Sequence, residues 1–249
     1  MKIENNHKFY RKIGFYEKYI KRAIDIVCSG LAIIAFSWLY IIIAILVRIK
    51  LGSPVIFTQY RPGLIDPNTG KERIFKMYKF RTMTDKRDSE GNLLPDEMRL
   101  TKFGAWLRST SLDELPEAFC ILNGTMTLIG PRPQLVRDMV FMSDEQRMRH
   151  TAKPGLSGLA QVSGRNAISW DKKLEYDLQY IEKISFVGDV RIIFQTVIKA
   201  FVKQEGITED GNVTAADYGD YLLKKGKVSK EEYDQKQIDA RRILKNVAK

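Results

Sequence analysis

From Ile26 to Val47 the chain runs 22 residues without a charged side chain, IVCSGLAIIAFSWLYIIIAILV. As one continuous helix this run would measure about 33 Å, enough to cross the hydrocarbon core of a bilayer. It is too long for a cleaved leader and no small-residue cleavage site follows it, so the pattern predicts a segment retained in the mature chain. After Gly52-Ser53-Pro54 the periodicity changes. VIFTQ at 55–59 and IFKMYKFRTM at 74–83 read as strands, and the turn-rich RPGLIDPNTGKER between them predicts a hairpin with a long loop. Helical spacing then dominates: Leu115, Phe119 and Leu122 share a face after LDELP, and residues 134–150 read as one helix. Within 189–203, Val190, Ile193, Phe194, Val197 and Phe201 form a stripe that fits either a core-facing helix or one lying in a membrane interface. Ser229 and Glu232 have the spacing of a capping box opening a helix to about Lys245.

Charge complicates the membrane reading. Arg11, Lys12, Lys18, Lys21 and Arg22 precede the apolar run, and Arg48 and Lys50 follow it. The positive-inside rule keeps both flanks cytoplasmic, which one crossing cannot satisfy. Two topologies remain, a bitopic helix with a short translocated N-terminus and a re-entrant helix that bends and leaves on its side of entry. A bend needs a weak point, for which Ser29-Gly30 or Ser37 are the candidates. Asp25 lies four residues after Lys21 and three after Arg22, a spacing that allows helical ion pairing in a cluster at the membrane interface.

The 249-residue chain is long enough for one sizeable domain with appendages, and its net charge of +11 favours an anionic partner such as nucleic acid, anionic lipid or a phosphorylated small molecule. Two distant cysteines, Cys28 and Cys120, suggest no disulfide framework and fit a reducing cytosolic environment. With two histidines, His7 and His150, and no zinc-type spacing, any metal would be a hard ion on oxygen ligands.

Against this basic background stand the adjacent acids Asp113 and Glu114 of SLDELPEAF. Acids at a helix start interact well with its dipole, so capping is one reading and chemistry the other. Two loops offer the chemistry. In IGPRPQ, residues 129–134, prolines stiffen the backbone on both sides of Arg132, which suits a fixed anion. KPGLSGLAQVSGRN, residues 153–166, joins three glycines to Lys153, Arg165 and Asn166, as either a phosphate cradle or ordinary turns.

Taken in order, KRAID, FTQYRPG, YKFRTM, LRSTSLDELPE, IGPRP and KPGLSGLAQVSGRN resemble the bacterial sugar transferase family, the small monotopic phosphoglycosyl transferases, over about residues 14–216. The resemblance implies an α+β protein. Its parts would be an N-terminal membrane helix (1–51), re-entrant in the family, a catalytic domain on the cytosolic face of the bacterial inner membrane (52–216), mainly helical with a small β-hairpin, and a helical extension (217–249). It also implies transfer of a sugar 1-phosphate from a UDP-sugar to polyprenyl phosphate, with Mg²⁺ and release of UMP, and downstream glycosyltransferases as further partners. Asp113 matches the family's nucleophile and Glu114 its partner and magnesium contact; Arg108, Arg132 and Arg165 are candidate phosphate ligands, with Lys79, Arg81 and Asn166 beside them. NAISWDKKLEYD at 166–177 and GNVTAADY at 211–218 are similar to members that use diacetylbacillosamine, a UDP-hexose donor in capsule or exopolysaccharide synthesis being the alternative. The family bends its membrane helix at a Ser-Pro pair, whereas this chain has Ser37-Trp38. A membrane-tethered basic module that binds nucleic acid or lipid fits less well, because the cations are divided among Pro- and Gly-framed loops around an acidic pair.

Overall fold

The computed structural model describes residues 9–164, 168–201 and 217–248. A π-helical turn, Tyr16–Ile20, leads into α1 (Lys21–Ala35), and the axis then bends by 62° at Phe36 into α2 (Ser37–Lys50). No single helix among the described residues is long and apolar enough to cross a membrane; the bent pair together passes that test. Of the two candidate bend sites the break lies beside Ser37, while α1 runs unbroken through Ser29 and Gly30, the Ser29 hydroxyl donating to the Asp25 carbonyl at 2.6 Å.

Helix α1 is inside out. Its buried stripe is Lys21, Asp25 and Ser29, at i, i+4 and i+8, while Val27, Leu31 and Ile34 point outward. The spacing that would allow Asp25 to pair with Lys21 or Arg22 is not used. Lys21 pairs instead with Asp189, Arg22 donates to the carbonyls of Ile121 (2.7 Å) and Leu122 (2.8 Å), and Asp25 Oδ1 accepts from the Thr127 hydroxyl and the Leu128 N–H, both at 2.9 Å. A stripe of polar groups buried against protein partners makes this helix a docked element.

Strands β1 (Ile56–Ile65) and β2 (Glu72–Phe80) pair antiparallel, Ile56 opposite Phe80, with the register slipping between Pro62 and Ile65. The loop is shorter than its turn residues suggest, because β1 continues through Arg61-Pro62-Gly63 before chain reversal at 66–71. After α3 (Asp96–Arg99) and α4 (Lys102–Ser109), a single 3₁₀ turn, Leu112–Glu114, precedes α5 (Glu117–Asn123). Ile43 and Val47 of α2 pack with Phe80 and Leu107, seating the second half of the bent pair on the hairpin and α4.

Strands β3 (Thr127–Ile129) and β4 (Gly155–Ser157) form a short parallel pair. Between them the expected single helix at 134–150 is divided into α6 (Val136–Met139), α7 (Asp144–Arg147) and a 3₁₀ turn, Met148–Thr151. Ser143 causes the break: its side chain accepts from the Gln146 N–H at 3.2 Å while Gln146 Oε1 accepts from the Ser143 N–H at 2.9 Å, so a new helix starts there. The rest is helical, with α8 (Leu159–Ser163), α9 (Trp170–Glu182), α10 (Phe186–Phe201), α11 (Tyr218–Lys224) and α12 (Lys230–Val247). As the capping box predicts, the Ser229 hydroxyl accepts from the Glu232 N–H at 3.1 Å. Tyr218 and Leu222 share a core with Trp170 and Leu174, and Ala240 one with Val136 and Met139. Helix α10 turns Asp189 and Ile192 inward and leaves Val190, Ile193, Phe194 and Val197 exposed, so the stripe does not face the core; the Phe201 side chain lies outside the described residues. The fold is α+β.

Candidate active site

The geometry of the acidic pair begins with Ser111. It adopts the left-handed region, φ 56° and ψ 17°, uncommon for a residue other than glycine, and reverses the chain after α4. The 3₁₀ turn that follows holds Asp113 and Glu114 clear of α5, which starts beyond Pro116 and takes no side-chain cap from either. Capping of α5 therefore does not explain the pair.

Asp113 is 7% exposed, and no hydrogen bond or ion pair from a described side chain reaches its carboxylate. Burial raises its pKa to about 6; Lys79, Arg108 and Arg132 pull it down, and Glu114 adds to the rise. Glu114 is held the other way. Burial works to raise it too, but Arg132 and Lys79 outweigh that and keep it at about 2, each donating to Oε1 at 2.6 Å. Lys79 also lies 3.1 Å from Oε1 of Glu117, a carboxyl raised by burial. The turn thus carries one acid neutralised by two cations and, beside it, one whose charge no described side chain offsets directly.

The backbone around Arg132 is fixed on several sides. Gly130 N–H donates to the Ser157 carbonyl at 2.8 Å and Gly155 N–H to that of Pro131 at 3.0 Å. A Cβ on Gly155 would lie 2.1 Å from the Gly130 nitrogen, so this contact requires glycine. The glycines of IGPRP and KPGLSG are used against each other. Arg149 donates to the Arg132 carbonyl at 2.6 Å, and Arg61 to that of Pro133 at 3.2 Å.

Lys79, Glu114 and Arg132 come together around Asp113, with Arg108 close enough to depress its pKa while its Nε donates to the Thr82 hydroxyl at 3.0 Å. Arg81 does not join them. It is buried against the Ser53 and Met83 carbonyls (2.6 and 2.8 Å) and the Asp85 carboxylate (2.6 Å), where it clamps the end of β2. Arg165 and Asn166 lie outside the described residues. Three further residues escape a reading of the sequence. Glu117 stands in the quoted stretch, three positions from Glu114, and spacing alone could have raised it. Arg61 and Arg149 carry no local signal, because their partners lie 72 and 17 positions away. Among the described residues no group of three His, Cys, Asp or Glu side chains forms a metal centre. A carboxylate completed by a substrate's phosphates is nonetheless a set that magnesium takes, and Glu114, with both of its cations on Oε1, fits it through Oε2.

The model of the bacterial sugar transferase family matches residues 16–203. The chain belongs to the bacterial sugar transferase family. It is accordingly an enzyme, of the phosphoglycosyl transferase class. The uncharacterized sugar transferase EpsL of Bacillus subtilis (strain 168) is 47% identical over 196 residues, which are 79% of this chain and 94% of EpsL. The UDP-glucose:undecaprenyl-phosphate glucose-1-phosphate transferase of Klebsiella pneumoniae is 39% identical over 194 residues, 74% of this chain and 40% of that protein. The UDP-N-acetylgalactosamine-undecaprenyl-phosphate N-acetylgalactosaminephosphotransferase of Aeromonas hydrophila is 37% identical over 188 residues, 72% of this chain and 43% of that protein. The chain thus spans nearly all of EpsL and about two fifths of the other two. These names give no support to diacetylbacillosamine as the sugar.

Proposed function

We propose that this enzyme transfers a sugar 1-phosphate from a UDP-sugar to a polyprenyl phosphate, releasing UMP, on the cytosolic face of the bacterial inner membrane. The observation that carries this reading is the contrast at the acidic turn. Asp113 is buried and lacks a described hydrogen-bonding partner, while its neighbour is neutralised by Lys79 and Arg132. An oxygen of ionised Asp113 attacks the phosphorus that bears the sugar, the bond to the α-phosphate oxygen breaks, and UMP leaves. An acyl phosphate then links enzyme and sugar. A phosphate oxygen of the lipid attacks the same phosphorus, returns the electron pair to the Asp113 carboxylate, and gives a polyprenyl diphosphate sugar. Arg132 and Arg108 stabilise phosphate charge through guanidinium donors, and Lys79 keeps Glu114 from repelling the incoming diphosphate. Glu114, whose Oε2 has no described partner, would hold magnesium, which would supply positive charge against the diphosphate.

The bent helix pair supports a re-entrant topology for residues 16–50. The uncharged part of the first half, residues 26–35, is about 15 Å long and α2 about 21 Å, each short of the roughly 30 Å hydrocarbon core, and the outward apolar faces of α1, α2 and α10 suit lipid surroundings. The names of the relatives support undecaprenyl phosphate as acceptor and leave the donor sugar open among glucose, N-acetylgalactosamine and others, the diacetylbacillosamine derivative included. Incubation of the purified chain with Mg²⁺, undecaprenyl phosphate and a panel of UDP-sugars tests the reaction: UMP and a lipid-linked sugar from one donor support it, and UMP from none overturns it.

A further inference from the structure

Beside the acidic turn the surface opens into a groove of about 590 Å³. Tyr40 and Ala44 of α2 form one wall, Ile56 and Phe80 of the hairpin another, and Pro116 and Phe119 the third. Among the described residues no carboxylate or cation lines it. The Tyr40 hydroxyl donates to the Leu115 carbonyl at 2.6 Å, so the hydrogen-bonding capacity of that wall is taken up by the protein, and the Phe119 ring meets Tyr40 edge-on at 5.7 Å between centroids. Such a surface suits neither a nucleotide nor a sugar, both of which need polar partners.

The position of the groove narrows its occupant. One side is continuous with the outward apolar face of α2, where Ile41 also lines the groove and is 62% exposed. The other ends at Pro116, three residues after Asp113, so their Cα atoms are at most about 11 Å apart. A cavity of about 150 Å³ is enough for a benzene ring, so the groove has room for several branched five-carbon units.

We propose that this groove seats the phosphate-proximal isoprene units of the lipid acceptor, so that the hydrocarbon chain is recognised as well as its phosphate. The inference rests on the reaction proposed above. A chain that slides in along α2 delivers its terminal phosphate to the acidic turn while the remaining tail stays among lipids, and neither end needs to leave its preferred surroundings.

Two variants test this without touching the acidic turn. Ala44→Phe fills the groove; Ile41→Ser makes its exposed wall polar with little steric load. With the full-length protein in detergent, the KM for undecaprenyl phosphate is expected to rise about tenfold in Ala44→Phe and by less in Ile41→Ser, with the KM for the UDP-sugar and the melting temperature unchanged. An unchanged acceptor KM in both folded variants overturns the proposal, as does a rise confined to the UDP-sugar. Native mass spectrometry without UDP-sugar supplies a readout that needs no turnover. Wild type should retain undecaprenyl phosphate in preference to phosphatidylglycerol and Ala44→Phe should lose that preference; equal retention of both lipids by wild type would mark a general acyl-chain groove and overturn the assignment. Wild type that binds the lipid selectively but makes no UMP with any donor would refute the reaction and leave the groove assignment standing.

Discussion

Arg149, buried and paired with Asp177 through two hydrogen bonds of 2.9 and 2.7 Å, donates at 2.6 Å to the backbone carbonyl of Arg132, whose own guanidinium reaches Glu114. One arginine is spent on holding another. The arrangement gives the IGPRP loop a rigid floor, and on the proposed reaction Arg132 would meet a phosphate without first ordering its backbone.

Replacing Arg149 by methionine leaves Asp177 buried without its cation, and the expected loss of stability is about 3–5 kcal/mol. Chemical denaturation at neutral pH measures it. If the floor argument is right, the residual folded enzyme also has a raised KM for the UDP-sugar, and a variant that is destabilised with unchanged kinetics would confine Arg149 to structure.

The pH profile should carry the signature of Asp113. Burial raises its pKa to about 6 and the proposed attack requires the ionised form, so kcat/KM is expected to rise with pH through about 6 and to fall about tenfold per unit on the acid side. Lys79 favours the charged carboxylate, so Lys79→Met moves that limb to higher pH. Glu114 opposes it, and Glu114→Gln moves the limb to lower pH. Initial rates across pH 4–8 for the three proteins decide this, and limbs that shift together in one direction would contradict the assignment to Asp113.

Asp25 is 2% exposed and is the acceptor for both Thr127 and Leu128. Asp25→Ala leaves these two donors unpaired and should cost about 1–3 kcal/mol, whereas Asp25→Asn, which keeps a carbonyl oxygen, should cost less. Melting temperatures in detergent compare them. Equal losses would mean that the Asp25 charge rather than the hydrogen bonds anchors α1.

The bend at Phe36 predicts that both ends of residues 16–50 lie on the cytosolic side. A single cysteine placed near the N-terminus of a Cys28→Ser, Cys120→Ser background should resist a membrane-impermeant thiol reagent in intact cells and react after permeabilisation. Reaction in intact cells would require a crossing.

What a reader of the sequence could see depended on how far each residue's partners lay along the chain. The apolar run, the hairpin, the Ser229 cap and the Asp113–Glu114 pair are local patterns, and the ordered motifs made the family legible. The bend was narrowed to two serine sites, although without a proline nothing local chose between them. Asp25, Lys21 and Arg22 misled because helical spacing permits pairs among them, while better partners wait 103, 168 and 99 positions on. Arg81 misled by standing two residues from Lys79 in a strand, where the carbonyls of a neighbouring loop capture it. The glycines of KPGLSG left phosphate cradle and ordinary turn open, because close backbone approach has the same sequence signature whether a ligand or another strand fills the space.

The central claim is that Asp113 forms the covalent bond. Intact mass of the full-length protein after incubation with Mg²⁺ and a UDP-sugar, without lipid acceptor, tests it most directly. The account predicts an added sugar phosphate with an equivalent of UMP, absent in Asp113→Asn and discharged by undecaprenyl phosphate. UMP that appears with acceptor present and never with an adduct, under conditions where an acyl phosphate survives, would contradict it and leave Asp113 as a base or metal ligand in a single-step transfer.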